Sequence, residues 1–297
     1  MQHGDAARVG DRSAAGRRQC RRWCRRRAVI ERISSSRGVV CGLALDHRDS
    51  LRVAARRHGY PDDASSLRAL KVELVRALAP FTTVVLLDVE LGLDAFTERG
   101  DTPLVVPLEA QGYESLGEGR ITTLLGDVDP LRAVALGAIG CKLLLPYRPD
   151  LADTARRQEE MVARVVADCR AAGVLSIIEP IVYGEVPELG AAVAETARRL
   201  ARLGPDVLKL QYPGSARLCE LLTRACSAVP WVLLGGGTDE PTFLAQLHDA
   251  MRGGARGYIV GRTAWDAALV EDAGELSRAV SERAAFLARA VQVAEAG

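Results

Sequence analysis

Lysine is nearly missing from this chain. Of 39 Lys+Arg residues only three are lysine (Lys71, Lys142 and Lys209), which leaves 36 arginines (39 − 3). Arginine can carry surface charge, but its guanidinium stays protonated and cannot form an imine. Each surviving lysine is therefore a candidate for chemistry that arginine cannot do. Aromatics are scarce as well, at 4%, so Leu, Val and Ala must fill the core. No apolar run approaches the roughly 20 residues of a membrane span, so no membrane association is expected. The seven cysteines are an odd number scattered without a framework. They read as free thiols of a reducing cytoplasm, the expected location. His and Cys nowhere recur at metal-ligand spacing, and Cys20-x3-Cys24 has no second half. No metal and no cofactor are expected.

The net charge of +1 hides an asymmetry. Residues 1–27 hold nine arginines against Asp5 and Asp11, a net of +7, while the remainder has 30 basic and 36 acidic residues, a net of −6. An acidic body is a poor partner for nucleic acid. Residues 1–27 read as a disordered Arg-rich extension, either a solvated tail or a basic arm, without the apolar stretch of a signal peptide. Residues 28–297 read as one domain.

From Val39 the pattern alternates between short apolar runs and helical segments. The runs are Val39–Leu45, Thr83–Leu87, Pro103–Leu108, Gly140–Leu145, Val174–Glu179, Val207–Leu210, Trp231–Leu234 and Gly257–Val260. Helices are expected near 50–58, 65–78, 131–136, 151–172, 187–203, 215–228, 241–252 and 276–294. Residues 110–128 read as an irregular insertion. Short Val/Ile/Leu-rich runs suit parallel strands buried on both faces. Eight such units predict an α/β fold, the (β/α)8 TIM barrel, of about 250 residues. A doubly wound open sheet would want a phosphate loop after the first strand, and Asp46-His47-Arg48 is not one.

Chemistry in such a barrel lies at the carboxyl ends of the strands. Reading those ends gives Asp46, Asp88, Glu109, Lys142, Glu179, Lys209, Gly235-Gly236-Gly237 and Gly261-Arg262. Glycine turns after the last two strands let backbone N–H groups approach a phosphate, and Arg262 can clamp it. Lys209 is set in a buried strand, where desolvation favours a neutral, nucleophilic amine. Lys142, a second ammonium nearby, would reinforce that effect. Glu179 can shuttle protons. Lys71, on a helix, reads as a salt-bridge residue, and His248 as solvated.

These residues resemble the class I tagatose-1,6-bisphosphate aldolase family, which includes the 6-deoxy-6-sulfofructose-1-phosphate aldolases. The resemblance runs through Leu43–Arg48, Val85–Gly92, Lys142–Leu145, Ile178-Glu179-Pro180, Asp206–Lys209, Pro230–Leu234 and Gly254–Trp265, in the family's order. It implies a Schiff-base lysine at Lys209, an acid/base carboxylate at Glu179 and a second lysine at Lys142. It further implies metal-free cleavage of a phosphorylated ketohexose to dihydroxyacetone phosphate and a three-carbon aldehyde, in a homo-oligomer. Asp46, His47, Arg48, Asp88, Gly235, Gly236, Gly237, Gly261 and Arg262 are the expected substrate- and phosphate-binding residues. The sequence departs at His47, where Gln is usual, at Leu210-Gln211, and at Gly235–Thr238. Rival readings are an aldol or transaldol step on a modified sugar phosphate, and a barrel that binds a phosphosugar without turnover.

Overall fold

Runs such as Val84–Leu87 carry no polar face, so they are stable only where both faces are covered. The computed structural model describes residues 30–270 and 273–297. Its strands are β1 (Val40–Leu45), β2 (Val84–Leu87), β3 (Leu104–Pro107), β4 (Glu114–Leu116), β5 (Gly119–Ile121), β6 (Gly140–Pro146), β7 (Leu175–Ile181), β8 (Val207–Leu210), β9 (Trp231–Leu234) and β10 (Gly257–Val260). Eight of them, all parallel, close into a barrel in the order β1-β10-β9-β8-β7-β6-β3-β2, while β4 and β5 pair separately. This is the (β/α)8 barrel expected from the repeat.

Helices return the chain along the outside: α1 (Asp49–Arg57), α2 (Ala64–Leu78), α3 (Pro130–Ala135), α4 (Ala152–Ala172), α5 (Leu189–Ala201), α6 (Ala216–Cys226), α7 (Glu240–Arg252), α8 (Arg262–Trp265) and α9 (Ala273–Ala296). Their ends are marked locally. Asp63 caps α2 by accepting from Ser65 N and Ser66 N, and Ser215 caps α6 by accepting from Leu218 N. Gly173 ends α4 in the left-handed conformation at φ +74, which glycine adopts without a Cβ clash.

Alternation along the strands divides the core into two clusters. Val40, Ala44, Val84, Leu86, Val105, Leu175, Ile177, Val207, Val232 and Ile259 fill the interior of the ring. Residues of opposite parity, such as Cys41, Leu43, Val85, Leu208 and Leu233, join the helices in the larger outer cluster. Ile30 and Ile33 belong to the inner cluster. They lie at a 3-10 turn, Glu31–Ile33, just before β1, so they close the ring at its amino-terminal end. The expected Arg-rich extension, residues 1–27, lies outside the described residues.

Several details differ from the sequence expectation. The insertion 110–128 holds an antiparallel hairpin, β4–β5. β4 is polar and mostly exposed and β5 is only three residues long, so neither carries enough alternation to be read as a strand. The Lys71 helix is longer by one residue at its start. Strand β7 runs through Pro180 to Ile181. It pairs with β8 only as far as Ile178↔Leu208, so no ladder there needs the N–H that proline lacks.

Gly257 adopts φ +122, and a Cβ on it would stand 1.9 Å from Val40 O. Gly257→Ala should therefore lower the unfolding free energy by about 3 kcal/mol, through strain where β10 meets β1. A urea titration measures this, and an unchanged midpoint would contradict it.

Candidate active site

A strand period of two fixes which polar residues look inward. Stepping by two from the inner residues Ala44, Leu86, Val105, Ile177 and Val207 reaches Asp46, Asp88, Glu109, Glu179 and Lys209. Gly140 leads in the same way to Lys142. Register sets Asp46 level with Asp88, because Ala44 pairs with Leu86, and Glu179 level with Lys209, because Ile177 pairs with Val207; Lys142 pairs with Ile177, one inward step deeper than Glu179. The apolar interior thus ends in a layer of charge at the carboxyl-terminal mouth. All six of these residues are buried.

Lys142 is the hub of that layer. Its Nζ lies 2.9 Å from Asp46 Oδ2, is hydrogen-bonded to Glu109 Oε1, and stands 3.4 Å from Glu179 Oε2. Burial alone would depress its pKa. The three carboxylates outweigh burial and raise it well above the ordinary lysine value, so Lys142 is a fixed cation. Burial likewise opposes ionisation of Asp46, but Lys142, His47 and Lys209 hold it well below the usual carboxylate range. Burial, with Asp46 beside it, pushes Glu109 upward against the pull of Lys142. Its other oxygen accepts from Leu144 N at 3.1 Å.

Lys209 Nζ stands 3.0 Å from Glu179 Oε1. Glu179 is therefore shared between two lysines, one per oxygen. The expectation that the two ammonium groups act directly on one another is corrected here, because a carboxylate stands between them. Glu109 had no assigned role in the sequence reading. Its position at the end of the third strand was legible there, but its contact with Lys142 was not.

Asp88 is also corrected. Expected at the substrate, it is fully buried. Its Oδ2 is hydrogen-bonded to Lys71 Nζ, and its Oδ1 accepts from Glu90 N at 3.0 Å and Leu91 N at 2.7 Å. Lys71 also donates to His47 O at 2.9 Å. The third lysine is thus a buried strut between α2 and the ends of β1 and β2, in keeping with its reading as a salt-bridge residue. Arg48 is buried as well: Nη2 donates to Glu109 O at 2.8 Å, while Nε has no hydrogen-bond partner among the described residues.

His47 lies on the rim with its side chain 23% exposed and Asp46 Oδ1 at 3.9 Å. Its ring meets Trp265 edge-on, with centroids 5.1 Å apart. Burial, reinforced by the three lysines, pushes its pKa down to about 3 against the pull of Asp46, so the ring is neutral near pH 7.

The glycine turns bring the last two strands to the same end of the barrel. Gly236 and Gly237 have φ of +66 and +76. A Cβ on Gly237 would meet Arg262 Cζ at 3.0 Å, and one on Gly261 would meet His47 Cε1 at 2.5 Å. Arg262 Nη2 donates to Gly236 O at 3.3 Å, and Thr263 Oγ1 donates to Gly235 O at 3.3 Å. Gly235, Gly236, Gly237, Gly261 and Arg262 are therefore together, as the sequence implied. Among the described residues no group of three or more His, Cys, Asp or Glu is disposed to hold a metal ion. Among them, too, no helix is long and apolar enough to cross a membrane.

Comparison with known proteins agrees with this geometry. The chain belongs to the DeoC/LacD aldolase family, whose sequence model matches residues 40–267. It is accordingly an aldolase, and so a lyase. It is 25% identical over 270 residues to a tagatose 1,6-diphosphate aldolase of Listeria monocytogenes, covering 80% of each chain. To one of Staphylococcus aureus it is 26% identical over 277 residues, covering 82% of this chain and 85% of that one. Its fold is shared with an archaeal fructose 1,6-bisphosphate aldolase at a TM-score of 0.67 and 20% identity, covering 92% of this chain and 100% of the other. A Corynebacterium glutamicum protein matches at a TM-score of 0.65 and 20% identity, over 99% and 98% of the two chains.

The depressed His47 makes a testable pH signature. Unfolded histidine titrates near 6.5 and folded His47 near 3, so between these values the unfolded chain binds the extra proton and stability falls as pH falls. In His47→Gln the decline in unfolding free energy from pH 6.5 to pH 3 should be shallower than in the parent. Equal slopes in urea titrations across that range would contradict the assignment.

Proposed function

We propose that this chain is a Schiff-base aldolase that splits a ketose 1-phosphate or 1,6-bisphosphate into dihydroxyacetone phosphate and a three-carbon aldehyde. The observation that carries this reading is the buried Lys209 amine 3.0 Å from Glu179 Oε1, with Glu179 Oε2 facing the fixed cation Lys142. An amine within reach of a carboxylate that can shuttle protons, at the barrel end that also carries the glycine turns, suits carbonyl condensation.

In the proposed reaction the Lys209 Nζ lone pair attacks C2 of the ketose, and a proton passes from the nitrogen to the former carbonyl oxygen, giving a carbinolamine. Glu179 donates a proton to that hydroxyl, which leaves as water, and an iminium remains. A carboxylate then removes the proton of the C4 hydroxyl. The C3–C4 bond breaks, its electrons flow into the iminium, and the aldehyde departs. The resulting enamine takes a proton at C3, and water hydrolyses the imine to release dihydroxyacetone phosphate and free Lys209. Lys142, held charged, binds substrate oxygens and stabilises negative charge that develops on them. The N–H groups of Gly236, Gly237 and Gly261, with Arg262, receive the 1-phosphate. Asp46, His47 and Arg48 form the remaining wall. The free, buried thiols of Cys41, Cys141, Cys169, Cys219 and Cys226 support a reducing, cytoplasmic setting.

Cleavage of tagatose 1,6-bisphosphate, followed by coupling aldehyde release to a dehydrogenase, tests the reading. Lys209→Ala should abolish turnover. Glu179→Gln should lower kcat by about 10²–10⁴-fold, the range for loss of a proton-transfer group. Activity retained in Lys209→Ala would overturn the assignment.

A further inference from the structure

The β4–β5 hairpin stands at the mouth on the side away from the glycine turns. It leaves the barrel at Glu109, which bridges to Leu124 on the returning chain, and Thr122 Oγ1 ties it to β6 by donating to Leu144 O at 3.1 Å. From α4 the fully buried Gln158 donates Nε2 to Pro146 O at 2.9 Å and to Arg120 O at 3.3 Å. Gly119 packs so tightly on α4 that a Cβ there would stand 2.1 Å from Thr154 Oγ1. The hairpin is thus a fixed wall.

Alternation then decides where its side chains go. Gly119 and Ile121 are buried, and Arg120 between them is exposed on the opposite face. Its guanidinium lies 5.0 Å over the ring of Tyr183, whose hydroxyl accepts from Arg120 N at 2.9 Å. Arg148 lies over the same ring at 5.9 Å, but Asp150 neutralises it through two bonds of 2.8 and 2.7 Å. Among the described residues no carboxylate pairs with Arg120. Tyr113, just before β4, has its hydroxyl pKa raised by burial and then by Glu109, and it senses Lys142, Arg120 and Glu179. The hairpin is also tied to the charged layer through Leu144, whose O accepts from Thr122 Oγ1 and whose N donates to Glu109 Oε2, each at 3.1 Å.

Topology adds the direction. In the ring order β10-β9-β8-β7-β6, the strand β8 stands midway between β10 and β6. Arg262 follows β10, Lys209 lies on β8, and Arg120 overhangs β6 and β7. A linear sugar with its carbonyl at Lys209 and its 1-phosphate at Arg262 points its far end toward Arg120. The two arginines nearest the end of β1 are committed elsewhere. Arg52 is committed to Asp62 O at 2.9 Å and Glu90 Oε1 at 3.3 Å, and Arg48 is buried against Glu109 O.

We infer that Arg120, stacked on Tyr183 and paired with no carboxylate among the described residues, is the specificity residue that receives an oxyanion on C6 of the substrate. Stacking holds the guanidinium in place before the ligand arrives, which favours binding. Phosphate and sulfonate share the required chemistry. The inference rests on the aldolase reading for the orientation of the sugar, and its test does not depend on turnover.

Calorimetry with hexitol 1,6-bisphosphate, hexitol 1-phosphate and the corresponding 6-sulfonate 1-phosphate measures binding of ligands that lack a carbonyl and cannot be cleaved. The parent protein should bind a C6 anion more tightly than the 1-phosphate alone. Arg120→Ala should cut that preference about 10- to 100-fold, the worth of a charge-assisted hydrogen bond, and Arg120→Lys should keep part of it. Whichever analogue loses its advantage identifies the anion. An identical preference in parent and Arg120→Ala overturns the inference. Lys209→Ala kinetics decide the aldolase reading separately.

Discussion

One ammonium group ties the mouth of this barrel together. Lys142 Nζ, on β6, gathers carboxylates from the ends of β1, β3 and β7. An isolated charge this deeply buried would be untenable. Here each charge is the condition for its neighbours: Lys142 stays protonated because of the carboxylates, and Asp46 stays ionised because of Lys142. Removing Lys142 would leave its carboxylates uncompensated, a cost of about 3–5 kcal/mol for a broken buried pair. The second buried pair, Lys71 with Asp88, repeats the device one layer outward and fixes α2 to β1 and β2.

This arrangement separates stability from chemistry along the strand axis. The amino-terminal interior is apolar and sealed by Ile30 and Ile33, while every inward step past Ala44, Leu86, Ile177 or Val207 meets a charge. The aldolase family membership and the site geometry therefore meet at one place. The low count of lysines fits the same division. Arg serves the surface in pairs such as Arg56–Asp62 and Arg148–Asp150, and all three lysines are buried.

Much of this was legible in the sequence for definite physical reasons. Buried parallel strands have to be short and apolar, so all eight could be read. A period of two carries their polar last residues inward, so Lys142, Glu179 and Lys209 could be read as well. What failed were matters of partnership between distant positions. Asp88 ends a strand just as Asp46 does, yet Lys71, a helix residue 17 positions earlier, takes its carboxylate away from the mouth. Nothing local in the sequence records that pairing. Glu109 was visible as a strand end, but its bond to Lys142 spans 33 positions. The hairpin escaped notice because β4 is polar and mostly exposed and β5 has only three residues, placed by Gln158 and Thr154 on α4 rather than by a pattern of their own.

The account turns on which lysine is free to condense with a carbonyl. Lys142 is locked as a cation, and Lys71 is closed off beneath α2, so Lys209 alone should do it. Borohydride reduction in the presence of dihydroxyacetone phosphate, followed by mass analysis of the peptides, reads this directly. The account predicts one stable adduct, on the peptide containing Lys209. An adduct on Lys142 or Lys71, or no adduct at all, would contradict it.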